Sequence, residues 1–150
     1  FVDTTMGRSM GRARAGVGVC LNAKMRNQDN SGAHCVKNIG MFHRKKTRVA
    51  QPFTASIWSV KKQGTRQPSQ PSRVQKGQVK HGVMLTMRAI TNRFSGITCQ
   101  FGKNTCAMVD LTNGKNQPLG QRITGPIALE VQKSRFWPKV LEIQRPALLR

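Results

Sequence analysis

Apolar residues recur in short segments with a period of two, and this pattern constrains the fold more than any other feature of the sequence. Over residues 17–26, Val, Leu, Ala and Met alternate with Gly, Cys, Asn, Lys and Arg, which is typical of a half-buried strand. Further strands are predicted where alternation or β-branched and aromatic residues recur: 33–42, 53–60, 82–90, 97–101 and 105–111. The last two are joined by Gly102-Lys103-Asn104.

Turn residues separate these segments, and no helical pattern of ten residues occurs before residue 126. Short strands with turns between them favour a small β-barrel, which also removes exposed sheet edges. We therefore predict a mainly β fold with a small closed barrel over residues 17–126. Residues 127–150 are predicted to form a C-terminal helical segment packed on the barrel. Its one or two short helices would be interrupted at Pro138 and end near Pro146, with apolar positions at Ile127, Val131, Phe136, Val140 and Ile143.

Two segments have compositions that do not suit a packed core. Residues 1–16 combine Gly, Ser, Arg and Met without apolar periodicity, which predicts a basic, disordered extension. Residues 61–77 hold two Pro, two Gly and five basic side chains, which predicts a long basic loop within the barrel domain. A structureless loop of that length is unusual in a compact domain unless a partner orders it.

The charge balance points to a polyanionic partner. Lys and Arg number 26 against five acidic residues, a formal net charge of +21. A compact body with that much like charge repels itself, and nucleic acid phosphates attract Lys and Arg regardless of sequence. A basic but merely soluble surface and a membrane-surface binder are the alternatives. Gly and Pro interrupt nearly every candidate amphipathic segment, and no apolar run could span a membrane, so we predict no membrane partner.

Catalysis and metal binding find little support in the sequence. The five acids are far apart, and His34, His43 and His81 show no ligand spacing. His34 and Cys35 are adjacent, and because neighbouring strand residues point to opposite faces we expect that they cannot pair directly. We predict no enzyme, no metal and no cofactor. Four free thiols are predicted at Cys20, Cys35, Cys99 and Cys106, with two disulfides as the alternative.

Two segments about ninety residues apart carry a resemblance to a known family. Taken singly, Asp29-Asn-Ser-Gly-Ala33 has the composition of a tight turn, and Gln117-Pro-Leu-Gly-Gln-Arg-Ile-Thr-Gly-Pro126 that of a barrel-closing loop. Together and in this order, they resemble the universal large-subunit ribosomal protein fourteen family. Weaker matches to that family's pattern are His43-Arg-Lys-Lys46, Gln75-Lys-Gly-Gln-Val79, Phe101-Gly-Lys-Asn-Thr105, Glu130-Val131 and Phe136.

Several positions depart from the family pattern. Gln121 replaces a Thr, Asn116 replaces an acidic residue, and Val49-Ala-Gln-Pro52 replaces a Gly-Val-Gly-Asp step. The changes mostly remove acids or lengthen basic loops. With the Arg-bearing N-terminal extension and the absence of an initiator Met, they predict a divergent mitochondrial member that works in the mitochondrial matrix; a plastid or the bacterial cytoplasm is the alternative location.

The resemblance implies a closed five-stranded barrel that is a structural constituent of the large ribosomal subunit and binds its large-subunit rRNA. Lys and Arg on loops would neutralise phosphates, and we predict such contacts from Arg44, Lys45, Lys46, Arg48, Lys61, Lys62, Arg66, Lys76 and Arg93. The resemblance also implies a place at the intersubunit face. The partners there would be large-subunit protein nineteen, small-subunit rRNA and a ribosome silencing factor, with Gln121, Arg122 and Lys139 as interface residues.

A free-standing barrel of the cold-shock type is the alternative function. Such proteins bind single strands by stacking bases on aromatic side chains. Aromatic residues make up only 5% of the chain, Tyr is absent, and no exposed cluster of Phe or Trp for base stacking is evident. The sequence therefore favours the ribosomal protein.

Overall fold

A computed structural model describes most of the chain. The described residues are 18–41, 47–61, 74–93, 95–111, 116–134 and 136–144. The predicted extension, 1–16, and the greater part of the predicted basic loop lie outside them.

Strands dominate the described residues, with two short helices near the C-terminal end. The strands are β1 (Lys24–Asn27), β2 (Ala33–Met41), β3 (Pro52–Val60), β4 (Val79–Thr86), β5 (Thr91–Asn92), β6 (Thr98–Cys99), β7 (Thr105–Asp110) and β8 (Gln117–Pro118). The helices are α1 (Leu129–Gln132) and α2 (Pro138–Glu142). Neither described helix is long enough to cross a membrane.

Five strands form a closed barrel in the order β1-β2-β3-β4-β7. Neighbours within this order are antiparallel, and a parallel pairing of β1 with β7 closes the barrel, with Arg26 opposite Thr105 and Asn27 opposite Cys106. The short β8 adds to the edge of β7. The predicted mainly β fold with a closed five-stranded barrel is confirmed.

Three predicted strands have different bounds or partners in the structure. The predicted strand 17–26 is wrong over residues 18–23: Asn22 has a positive φ of 64°, which breaks the strand, and among these residues only Val19 forms a bridge, to Thr47. The strand predicted at 82–90 begins at Val79 and ends at Thr86. The strands predicted at 97–101 and 105–111 do not pair with each other across residues 102–104, because β6 pairs with β5, whereas β7 pairs with β4 and β1.

The chain has two apolar clusters, one inside the barrel and one outside it. The inner cluster includes Met25, Val36, Phe53, Ile57, Met84 and Met108, which alternate with outward residues along their strands. The outer cluster joins Val83, Leu85, Ala107 and Val109 of β4 and β7 to Ile123, Ile127, Val131, Trp137 and Val140. Strand β7 and the second half of β4 are therefore buried on both faces, which is why residues 82–85 and 106–109 contain no charged side chain.

The aromatic pair before α2 is placed differently from the prediction. Phe136, assigned to the apolar stripe, is 70% exposed, whereas Trp137 is 2% exposed. The indole Nε1 of Trp137 donates a hydrogen bond of 2.7 Å to the Ala50 carbonyl oxygen, so its polar atom is satisfied in the outer cluster. Pro138 does not interrupt a helix; it occupies the first turn of α2, where a missing N–H costs nothing.

This assignment gives a matched pair of variants. Trp137→Phe should lower the free energy of unfolding by about 2 kcal/mol, because it removes buried ring volume and leaves the Ala50 carbonyl unpaired. Phe136→Leu should change it by less than about 0.5 kcal/mol, as exposed substitutions usually do. Urea unfolding of both variants measures the difference. A larger loss from Phe136→Leu would show that the two aromatics are assigned the wrong way round.

Candidate nucleic-acid interface

The two motifs that carry the family resemblance are in direct contact. Asn30 lies in the β1–β2 turn, and its Oδ1 accepts hydrogen bonds from the backbone N–H groups of Gln121 at 2.7 Å and Arg122 at 3.1 Å. The backbone N–H of Asn30 in turn donates to the Arg122 carbonyl oxygen at 3.2 Å. One side chain thus fixes the backbone of the 117–126 loop, although ninety-one residues separate Asn30 from Gln121.

Asp29 anchors this junction from inside the protein. Its side chain is buried, and its Oδ2 accepts from the Met108 backbone N–H of β7 at 2.7 Å. Its Oδ1 accepts from the backbone N–H of Ser31 at 2.9 Å, from the Ser31 hydroxyl and from the Asn27 side-chain amide. These donors replace the water that a buried carboxylate loses. The Asp29 carboxylate therefore ties the turn after β1 to the middle of β7.

Glycines let the backbones at this junction approach closely. A Cβ atom added to Gly120 would lie 2.8 Å from the Cβ of Asp29 and 3.0 Å from Oδ1 of Asn30, so a larger residue would displace the motif. Gly32 has a φ of 107°, in the region that favours glycine, and it completes the turn before β2. Close contacts at Gly120 and the positive φ of Gly32 thus explain why glycine occupies these two positions.

Two of the three predicted interface residues, Gln121 and Arg122, lie at this junction. Gln121 and Arg122 have fixed backbones and exposed side chains, as expected for residues presented to a partner. Lys139 is exposed on α2. The C-terminal segment joins the same loop, because the backbone N–H of Ile123 donates to the Ile143 carbonyl oxygen at 3.1 Å.

The predicted phosphate-contacting residues fall into two groups. Arg44, Lys45, Lys46, Lys62 and Arg66 lie outside the described residues. Of the others, Lys76 is exposed in the turn before β4, and Arg48 is half-buried next to the Val19–Thr47 bridge. The ammonium of Lys61 donates to the Asp29 backbone carbonyl oxygen at 2.8 Å, so Lys61 helps to hold the junction.

Arg93 is engaged with a carboxylate of the protein. Its Nε and Nη2 donate to the two oxygens of Glu130 at 2.9 and 3.4 Å. Partial burial alone would raise the pKa of Glu130, but the hydrogen bond and the charge of Arg93 outweigh it, and the pKa is lowered. The same hydrogen bond raises the pKa of Arg93. The ion pair links the residue after β5 to α1. Because its guanidinium is engaged with Glu130, Arg93 is less available to phosphate than the sequence suggests.

A basic groove at one end of the barrel was missed by the sequence reasoning. It consists of two adjoining recesses of about 370 and 560 Å³ that share Arg26, Gly102 and Lys103. Lys24 and Arg88 line the first recess, and Lys61 lines the second. These cations come from β1 and from three separate connections, so only the closed barrel brings them together. One signal was available: Lys24 and Arg26 are two residues apart, and side chains at that spacing share one face of a strand.

The thiols and imidazoles show one departure from expectation. Cys35 Sγ lies 3.4 Å from His34 Nδ1, so the expectation that these neighbours cannot pair is wrong. The ladder between β2 and β3 shifts register on both sides of Cys35, which breaks the strict alternation of side chains.

All four cysteines are unbridged, and burial raises the pKa of the Cys106 thiol well above its ordinary value. Among the described residues, no three His, Cys, Asp or Glu side chains gather to hold a metal ion.

A small closed barrel with cations gathered at one end is typical of nucleic-acid-binding proteins. Sequence comparison identifies the chain within that class: residues 18–147 match the ribosomal protein L14p/L23e family. The large ribosomal subunit protein uL14 of Petrotoga mobilis is 31% identical over 122 residues, which cover 79% of this chain and 90% of the relative. The chain therefore belongs to the L14p/L23e family, and the resemblance inferred from the two motifs is confirmed.

The junction between the motifs can be tested with one substitution. Asn30→Ala removes the acceptor for two backbone N–H groups, and we expect it to lower the free energy of unfolding by about 1–2 kcal/mol. Gln121→Ala, which removes only an exposed side chain of the same loop, should cost less than about 0.5 kcal/mol. Hydrogen exchange should also become faster at the amides of Gln121 and Arg122 in the Asn30 variant. Unchanged exchange there would contradict the junction.

Proposed function

We propose that this protein is a structural constituent of the large ribosomal subunit and binds large-subunit rRNA through its Lys and Arg side chains. The observation that carries the proposal is the family match over residues 18–147, which includes both motifs of the Asp29–Asn30 junction. The Petrotoga mobilis relative bears the name of a large-subunit protein. The proposed role is architectural, and catalysis has no part in it.

The distribution of charge supports rRNA as the partner. No carboxylate occurs between Asp29 and Asp110, a stretch that contains four of the five barrel strands in whole or in part. The barrel-end groove with Arg26, Arg88 and Lys103 lies within or beside this stretch. Phosphate oxygens placed along the groove would be contacted from several sides, and such contacts fix register and orientation without reading sequence.

The proposed phosphate contacts combine the cations of the groove with the residues predicted from the sequence. We propose the exposed cations of the groove as principal phosphate ligands, together with Lys76, Arg48 and the undescribed Arg44, Lys45, Lys46, Lys62 and Arg66. Arg93 and Lys61 belong to the same proposed set, and each also donates to an oxygen of the protein.

At the other proposed contact, the exposed loop residues Gln121 and Arg122 and the exposed Lys139 of α2 face the small subunit. The proposal includes small-subunit rRNA, large-subunit protein nineteen and a ribosome silencing factor as partners at this surface. Its support is the backbone of this loop, which Asn30 fixes through hydrogen bonds to the N–H and carbonyl groups of Arg122. Because the backbone is already fixed, the loop can present the Arg122 side chain to a partner at little entropic cost.

We further propose that the protein works in the mitochondrial matrix. The support is the charge of +21 and the loss of acidic residues from the family pattern. The bacterial relative is equally compatible with a plastid or with the bacterial cytoplasm. Fractionation that places the protein in cytosolic ribosomes would contradict the assignment.

Sedimentation tests the proposed function. The tagged full chain, expressed in the source cells, should move with large subunits in a sucrose gradient at high salt, where free RNA-binding proteins dissociate. Recovery at the top of the gradient would instead favour the free-standing single-strand-binding barrel.

The interface assignment generates a prediction for Arg122. Arg122→Ala should leave the barrel folded, at a cost below about 0.5 kcal/mol, because its side chain is exposed. It should enter large subunits normally but reduce subunit joining or binding of the silencing factor. Lys133→Ala, an exposed change at the end of α1, is the control and should have neither effect. An Arg122 variant that never enters large subunits would make Arg122 an rRNA anchor and refute the interface assignment.

A further inference from the structure

The outer surface of the barrel has one covered side and one side that no described residue covers. The outward side chains of β4 and β7 lie under the C-terminal segment. The outward side chains of β1, β2 and β3 do not: Lys24 is exposed, Ile39 is 41% exposed and Trp58 is 49% exposed. A half-exposed Trp is unusual on a surface that is otherwise basic, since large aromatic side chains are normally well buried.

Two lysines surround this Trp. The Nζ atom of Lys24 lies 4.0 Å from the centroid of the Trp58 ring, and the Nζ atom of Lys37 lies 5.9 Å from it. Both distances are within the range of a cation–π interaction, which favours ammonium groups over the electron-rich ring. The three side chains, Lys24, Lys37 and Trp58, form one cluster across three neighbouring strands, and we call it the Trp58 cluster.

The strand register places the two lysines of this cluster directly opposite each other, and a bound anion would reduce their repulsion. Lys24 of β1 and Lys37 of β2 are direct partners across the antiparallel ladder. Like charges at directly opposite positions are destabilising. The Trp58 ring carries no net charge, and strands β1, β2 and β3 contain no carboxylate to neutralise the two lysines. A bound phosphate would relieve their repulsion.

The Trp58 cluster is also continuous with the barrel-end groove. Lys24 contacts Trp58 and lines the groove beside Arg26, which is exposed on the same strand two residues further on. A chain of phosphates that follows the cations of the groove would therefore pass next to the indole. Nucleic acid, unlike a folded acidic protein, offers a regular series of phosphates with a flat aromatic group attached to each.

We propose that the Trp58 cluster binds an unpaired nucleotide of RNA: the Lys24 ammonium moves off the Trp58 ring to one flanking phosphate, the base stacks on the exposed indole, and Lys37 holds the other phosphate. The inference rests on the proposed function as an rRNA-binding protein and specifies the kind of RNA at this surface. An unpaired nucleotide is required, because the bases of an A-form helix are stacked on one another and do not present their faces. A single stack of this kind is worth about 1–3 kcal/mol.

Binding of two RNA probes by the full chain tests the proposal. The probes are a short single-stranded oligoribonucleotide and a blunt duplex of the same length, each labelled for fluorescence anisotropy. Trp58→Leu should weaken binding of the single strand about tenfold and leave the duplex unchanged, since only the single strand can stack. Trp58→Phe should retain most of the affinity. Ile39→Ala, on the same face, is the control for loss of exposed apolar surface and should have no effect.

The lysines give a second readout. Lys24→Gln and Lys37→Gln should each make the slope of log K against log salt for the single strand shallower by about 0.7, while Trp58→Leu should leave the slope unchanged. A phosphate contact and a stacking contact are separated in this way.

Three results would overturn the proposal. The first is a Trp58→Leu variant that binds the single strand as tightly as the wild type, and the second is an equal loss of affinity for both probes. The third is an ultraviolet crosslink, in assembled large subunits, from Trp58 to a peptide in place of a nucleotide, which would make the cluster a protein-docking site. If wild-type protein still sediments with large subunits in any of these cases, the proposed function stands and only the stacking site fails. If it does not sediment there but Trp58→Leu still selectively weakens single-strand binding, the site stands and the ribosomal assignment fails.

Discussion

The buried carboxylate of Asp29 is the interaction on which the arrangement of this protein depends. It accepts hydrogen bonds from its own turn and from the backbone of Met108, so it connects the start of the β1–β2 turn to the strand that closes the barrel. Next to it, Asn30 holds the loop that carries Gln121 and Arg122. Closure of the barrel and presentation of the exposed loop therefore have a common anchor, and neither can shift without the other.

Charge decides how the remaining surface is used. The chain has 26 Lys and Arg but only five acidic residues, so few of the cations can pair with a carboxylate of the protein. One of the five acids, Glu130, pairs with Arg93. The C-terminal segment covers β4 and β7 with apolar side chains, so the cations of β1 and β2 and of the barrel-end connections remain on the opposite side and at one end. The fold thus separates an apolar contact made within the chain from a basic surface suited to RNA.

The fold was largely predictable because alternation in segments such as 33–42 and 53–60 directly reflects burial on one face of a strand. Prediction failed where tertiary contacts overrode local pattern. Asn22 breaks the first strand with a left-handed backbone, and the strand predicted at 105–111 pairs with β4 instead of with the strand that precedes it. Trp137 replaces Phe136 in the core because Ala50, distant in sequence, accepts its indole N–H. The groove could not be predicted, because Arg26, Arg88 and Lys103 meet only when β1 pairs with β7.

The central claim is that the protein neutralises rRNA phosphates as part of a large ribosomal subunit. The affinity of the isolated full chain for a fragment of large-subunit rRNA, measured across a series of salt concentrations, tests this claim most directly. About six phosphate contacts predict a slope of log K against log salt near −5, since each contact to a duplex contributes about −0.9. A slope near zero would contradict the account, because binding would then owe nothing to the cations on which it rests.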